Sequence, residues 1–121
     1  AYVQCRDVND EHYEELHRME EQLKTFRTLA GEPYRLLALP IADKIEADGE
    51  RLPATYANFL IMNDAVLYPT YNQPENDMRA KEVLQMAFPK HEIVGVDCRA
   101  LIKQHGSLHC VTMQYPIGVI R

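Results

Sequence analysis

The chain has 121 residues, 26% of them charged and 46% hydrophobic, with a formal net charge of −5, which is the balance of one folded domain rather than a disordered tail. A net acidic chain without a lysine or arginine cluster lacks the footprint of a nucleic-acid binder, and no run approaches the roughly 20 apolar residues of a bilayer span. The three cysteines, Cys5, Cys98 and Cys110, form no Cys-x-x-Cys pair, a pattern expected of a reducing, cytoplasmic setting without a signal peptide.

Tyr2 to Cys5 reads as a strand, and the short polar side chains of Asp7, Asn9 and Asp10 predict a helix start. Apolar residues then recur at intervals of three and four as Leu16, Met19, Leu23, Phe26 and Leu29, with Glu14, Glu15, Glu20 and Glu21 on the other face. Gly31 and Pro33 close this helix. Tyr34 to Leu39 predicts a strand covered on both faces. Residues 41 to 55 predict a loop with a turn at Asp48-Gly49. Tyr56 to Asn63 and Ala65 to Tyr71 predict two strands of a hairpin turning at Asn63-Asp64. Pro74, Asn76 and Asp77 announce a second helix with Ala80, Val83, Leu84 and Ala87 inward, ending at Pro89. Ile93 to Val96 predicts a strand, Cys98 to Lys103 a helical turn, Gly106 a break, and Leu108 to Tyr115 a final strand.

The fold class expected is therefore α+β. The two halves echo each other, each with a strand, an Asn-Asp pair (Asn9-Asp10 and Asn76-Asp77), an amphipathic helix and a second strand, at a spacing of about 67 residues. Repeated ββαβ-like units have this form, and two such units alone would leave raw faces needing neighbours.

The segment from Gln104 to Pro116 carries the chemistry. As a strand it would place Leu108, Cys110, Thr112 and Gln114 on one face, so that Cys110 lies beside polar groups, and His109 on the other, where it is a poor direct base. A free cysteine is more often a small buried hydrophobe than a nucleophile, and composition alone leaves both readings open. His105, His109 and Cys110 are good zinc ligands, but on a strand the two histidines stand roughly 13 Å apart, too far for one ion. No metal is expected.

Gly106-Ser107-Leu108-His109-Cys110-Val111-Thr112-Met113-Gln114 resembles the terminal Gly-x-x-His-Cys-x-Thr-x-Gln signature of agmatine deiminases and their Porphyromonas-type peptidylarginine deiminase relatives. Leu52-Pro53-Ala54-Thr55-Tyr56-Ala57-Asn58-Phe59, Asn63, Pro69, Ala87-Phe88-Pro89 before Val94-Gly95, and the opening Asp7 to Tyr13 are similar to that family in the same order. One departure stands out: many agmatine deiminases have three glycines and an asparagine before the His-Cys pair, whereas this chain has Gln104-His105-Gly106-Ser107.

The resemblance implies a pentein, a five-bladed propeller of ββαβ units about three times this length, of which residues 1–121 would be the carboxy-terminal portion with about two units, approximately 1–55 and 56–121. It implies Cys110 as nucleophile, with Gly106, Ser107 and Asn58 near the substrate, and no cofactor. A plain turn would equally account for Gly106 and Ser107, and a bond to loop backbone is the favoured account of Asn58. The implied reaction converts agmatine to N-carbamoylputrescine and ammonia, in putrescine and polyamine biosynthesis. Protein-arginine deimination is the alternative, and a noncatalytic repeat-derived binding module, or another cysteine hydrolase using His12, His17 or His91, are the rivals. The family's His-x-Asp motif and guanidinium-binding carboxylates would lie upstream, since no His-x-Asp occurs here. The expected partners are a small cationic guanidino substrate, the upstream part of the same polypeptide and, for the chain in isolation, other copies of itself with no turnover. Cys5 and Cys98 are assigned to packing.

Overall fold

A computed structural model describes residues 1–119, so the last two residues of the expected 56–121 unit lie outside it. Strand β1 (Tyr2–Gln4) is followed by helix α1 (Tyr13–Thr25) and strand β2 (Ala38–Pro40), which lies parallel to β1 with Tyr2 opposite Ala38. A tight hairpin comes next, β3 (Glu46–Ala47) and β4 (Glu50–Arg51). The second half runs β5 (Leu60–Ile61), β6 (Ala65–Thr70), α2 (Pro74–Ala87) and β7 (Glu92–Asp97), with β6 central, antiparallel to β5 and parallel to β7. Single 3-10 turns at Leu101–Gln104 and His109–Val111 complete the path.

Both halves thus contain a parallel strand–helix–strand unit, and β5-β6-α2-β7 has the full ββαβ order. The core belongs mostly to the second half. Val66, Tyr68 and Tyr71 from the β6 region, Ala80, Val83 and Leu84 from α2, Ile93 from β7, and Cys98, Ile102 and Leu108 from the closing segment pack around Leu39, Leu52 and Tyr56. Helix α2 buries the three inward positions its spacing predicts, with Ala87 half-buried. Pro at the first position suits a helix start because its missing N–H would have no intrahelical partner there.

Helix α1 departs from expectation at its end and on its face. It stops at Thr25, short of Gly31, and none of its residues is buried. Leu16, Met19 and Leu23 are half-buried while Phe26 and Leu29 stand exposed beyond it. Asp10 accepts the His12 amide at 2.8 Å, so the acidic pair orders the approach to the helix rather than capping it. Arg51 on β4 binds that approach in bidentate fashion, at 3.0 and 3.2 Å from the two Asp10 oxygens, and also reaches Glu11 at 3.0 Å. This geometry holds the two Asp10 oxygens and lowers the Asp10 pKa, chiefly through the Arg51 hydrogen bonds.

Three predicted strands need correction. Tyr34 to Leu39 is paired only from Ala38, and Tyr34 is 55% exposed, because β1 offers three residues of ladder and the stretch before it has no partner. Tyr56 to Asn63 shortens to Leu60–Ile61, since the chain turns at Tyr56-Ala57 after Thr55 bridges to Ile41. Leu108 to Tyr115 forms no strand and begins with a 3-10 turn, so the alternating faces expected there do not exist. Conversely, the expected loop 41–55 contains the β3–β4 hairpin, whose Asp48-Gly49 turn has φ of 52° and 83°, as a two-residue connection requires.

Candidate active site around Cys110

Three stretches of chain meet at the thiol. The first is the turn after Thr55, which brings in Asn58. The second is the Leu101–Gln104 turn, ended by His105 in a left-handed conformation (φ 58°), which hands the chain to Gly106 and Ser107. The third is the His109–Val111 turn carrying Cys110 itself. The break expected at Gly106 is thus made by His105. A side chain at 106 would be crowded: a Cβ there would sit 3.2 Å from Cys110 Cβ, closer than ordinary contact, and 3.7 Å from its Sγ.

Asn58 holds the thiol-bearing turn at several points. Its Oδ1 accepts the His109 amide at 2.6 Å, its backbone carbonyl lies 3.3 Å from the same N–H, and its Nδ2 donates to Cys110 Sγ at 3.3 Å. The sequence favours a bond to loop backbone for Asn58; its Oδ1 does bond the His109 amide, and its Nδ2 also reaches the Cys110 sulfur. The Cys110 thiol is exposed, and its pKa is lowered, first by the Ser107 backbone amide and second by the Asn58 side chain. Thr112 and Gln114 point elsewhere: the Thr112 hydroxyl donates to His109 O at 2.8 Å, and Gln114 Nε2 donates to Ile61 O at 2.6 Å.

Ser107 is itself only 2% exposed, and its hydroxyl meets that of Tyr71 at 2.8 Å. The sequence did not single out Tyr71 or Asp77 as a neighbour of this segment. Asp77 Oδ1 accepts from the Tyr56 hydroxyl at 2.6 Å and the Tyr71 amide at 3.1 Å, while Oδ2 accepts the Gln73 amide at 3.1 Å. No spacing rule connects residues 56, 71, 77 and 107; only the conversion of Asn76-Asp77 into helix-entrance chemistry was readable in advance.

The other cysteines are buried, as packing residues would be, and burial pushes the Cys98 thiol up. His17 stacks on Tyr13 and His91 lies against Phe88, and among the described residues no histidine hydrogen-bonds Cys110. The strand geometry that would separate His105 from His109 does not hold, but among the described residues no three His, Cys, Asp or Glu side chains gather as a ligand set. No helix among them is long and apolar enough to cross a membrane. An exposed, acidified thiol can attack an electrophilic carbon. In the intact folded protein, iodoacetamide should modify Cys110 alone of these three cysteines, at a pH below that needed for an ordinary thiol; peptide mass mapping that finds Cys98 or Cys5 modified first would contradict the geometry.

A mixed α+β chain with ββαβ order and a thiol displayed on a Gly-led turn is the class defined by these features. The family model for Porphyromonas-type peptidyl-arginine deiminase matches residues 1–116, and the chain belongs to that family. A candidate agmatine deiminase from Marinomonas sp. is 33% identical over 96% of this chain and 36% of its own length. The crystal structure of a candidate arginine deiminase from Porphyromonas gingivalis is 57% identical with a TM-score of 0.95, covering 99% of this chain and 35% of that one. The C. jejuni agmatine deiminase structure is 42% identical with a TM-score of 0.79, over 89% of this chain and 32% of that one. The chain therefore spans about a third of the length of the relatives it matches.

Proposed function

We propose that this chain is the nucleophile-bearing portion of a hydrolase that deiminates a guanidino substrate, with agmatine the leading candidate and N-carbamoylputrescine and ammonia the products. The observation that carries this reading is the exposed Cys110 thiol, acidified by the Ser107 amide and Asn58 within the signature the family shares. The Cys110 thiolate attacks the central guanidinium carbon and forms a C–S bond. A proton reaches one nitrogen, ammonia departs, and an amidino thioether, an S-alkylated isothiourea, remains. Water then adds to that carbon, the C–S bond breaks, and a urea-type product leaves with the thiolate restored. Asn58 keeps the sulfur on station, and Gly106 leaves room around it.

The carboxylates that hold a guanidinium by paired hydrogen bonds and the histidine that moves protons are assigned to the upstream part of the same polypeptide. In this reading the upstream part is the chain's first partner, residues 1–55 and 56–121 are two of five propeller units, and the chain in isolation self-associates without turnover. Peptidyl arginine is the second substrate reading, supported by the family's description. Full-length protein assayed for ammonia release with agmatine, free arginine and an arginyl peptide tests the proposal. Turnover of agmatine above the others is expected, and no ammonia from any of the three would overturn it.

A further inference from the structure

The Tyr71 side chain is 2% exposed at the end of β6 and takes no part in the reaction as described above. Its hydroxyl nevertheless joins two segments far apart in sequence. It accepts the Thr55 amide at 3.0 Å, donates to the Thr55 carbonyl at 3.1 Å, and meets Ser107 Oγ at 2.8 Å. A phenol has one proton, and a carbonyl can only accept, so the proton belongs on Thr55 O and Ser107 donates to Tyr71. With one donation and two acceptances the buried oxygen is fully satisfied.

The two segments so joined are those that grip the thiol. Thr55 stands three residues before Asn58, whose amide nitrogen is 3.3 Å from Cys110 Sγ. Ser107 stands three residues before Cys110, and its backbone amide is the foremost cause of the lowered thiol pKa. We propose that Tyr71 is a positioning residue for Cys110: one hydroxyl, by holding the Thr55 and Ser107 segments together, fixes the spacing between the thiol and both of its donors. The role rests on Cys110 being the nucleophile of the proposed reaction. Ser107 contributes to the arrangement through its side chain, because a residue without a side-chain donor at that position would give the backbone amide but no hydroxyl for Tyr71 to receive.

Asp77 anchors Tyr71 from behind through the Tyr71 amide, and the two aromatic rings of Tyr56 and Tyr71 pack edge to face at 5.4 Å. The phenol is therefore held at both its backbone and its ring. Loss of its hydroxyl leaves the ring in place and frees only the two segments it ties. The titratable side chains nearest Cys110 along the chain, His105 and His109, belong to the same segment, and neither contributes to lowering the thiol's pKa.

The test is Tyr71→Phe in the full-length protein, read in two ways. The pH dependence of Cys110 alkylation needs no turnover, so it reports on the clamp even if agmatine proves not to be the substrate. Its midpoint should rise by about one pH unit, as loss of one good hydrogen bond to a thiolate would give. With agmatine, kcat should fall about tenfold at a KM within about twofold, as misplacement of a reacting atom predicts. Ser107→Ala should move the midpoint in the same direction, and the double variant should move it little further. Val83→Ala, a core change away from the clamp, should lower the melting temperature without moving the midpoint. A folded Tyr71→Phe protein with the wild-type midpoint would overturn the proposal. If that variant does not fold, Ser107→Ala with an unchanged midpoint would overturn it equally.

Discussion

Cys110→Ala in the full-length protein is expected to abolish ammonia release from agmatine, with a loss of at least about a thousandfold, because no other described side chain of this portion is placed to form the covalent intermediate. Cys110→Ser should be nearly as inactive. The Ser107 amide and the Asn58 side chain that lower the thiol's pKa act on a hydroxyl whose own pKa is far higher, so the site would hold an un-ionised alcohol. The same preparation should still bind agmatine, since the binding carboxylates are assigned upstream. Cys5→Ala is the matched control: Cys5 is buried, among the described residues its thiol hydrogen-bonds only the Asp7 carbonyl, and turnover should stay near normal. Mass spectrometry of quenched wild-type protein should show an amidino adduct on the peptide carrying Cys110. Steady turnover by Cys110→Ala above a trace would sink the nucleophile assignment and with it the proposed reaction.

The second large effect concerns stability. Asp77→Ala should lower the unfolding free energy by about 3 kcal/mol, as loss of a charged acceptor to three buried or half-buried donors predicts. Burial and the Asp77 carboxylate together push the Tyr56 phenol pKa far up, so that hydroxyl stays a donor and would be left without an acceptor. Asp43 is the contrast. It lies exposed, and among the described residues its carboxylate accepts only from the half-buried Asn76 side-chain amide, so Asp43→Ala, which keeps the backbone carbonyl that accepts from Gln73, should cost under about 0.5 kcal/mol. Urea unfolding of both variants decides the matter, read as a shift in midpoint at constant slope. A loss below about 1 kcal/mol for Asp77→Ala would mean that water substitutes for the carboxylate and that the network is not a structural anchor.

What could be read in the sequence divides along physical lines. Helix α2 was legible because Pro74, Ala80, Val83 and Leu84 combine a start signal with an inward stripe, and that stripe meets a real sheet. Helix α1 shows the same periodicity but finds only β1 to pack on, so the pattern gave the helix and overstated its burial. The Leu108 to Tyr115 misreading came from an alternation that requires a neighbouring strand, and none pairs with it. Cys110 and Gly106 were identified from the resemblance, whereas the crowding that a side chain at 106 would meet against Cys110 is a contact that only three dimensions bring out. Asn58 was visible as a polar residue on an apolar stretch, near the substrate by resemblance or bonded to loop backbone, but its partners His109 and Cys110 lie more than 50 positions away. The Tyr71–Ser107 bond spans 36 positions between unrelated elements, a relation that no periodicity or spacing encodes.

The groups that lower the Cys110 pKa are all uncharged: two backbone amides and a carboxamide, with no lysine, arginine or histidinium among them. A thiol can be acidified equally well by a neighbouring cation, but a cation placed there would repel a guanidinium as it approached the sulfur. Neutral dipoles from this portion of the chain stabilise the thiolate without adding positive charge beside it. They are also short-range and little screened, so the thiol's ionisation should hold steady across ionic strengths that weaken surface ion pairs such as Lys44–Glu46. In the proposed reaction this would keep apart two electrostatic tasks that a single positive charge would set against each other: making an anion of sulfur and receiving a cation beside it.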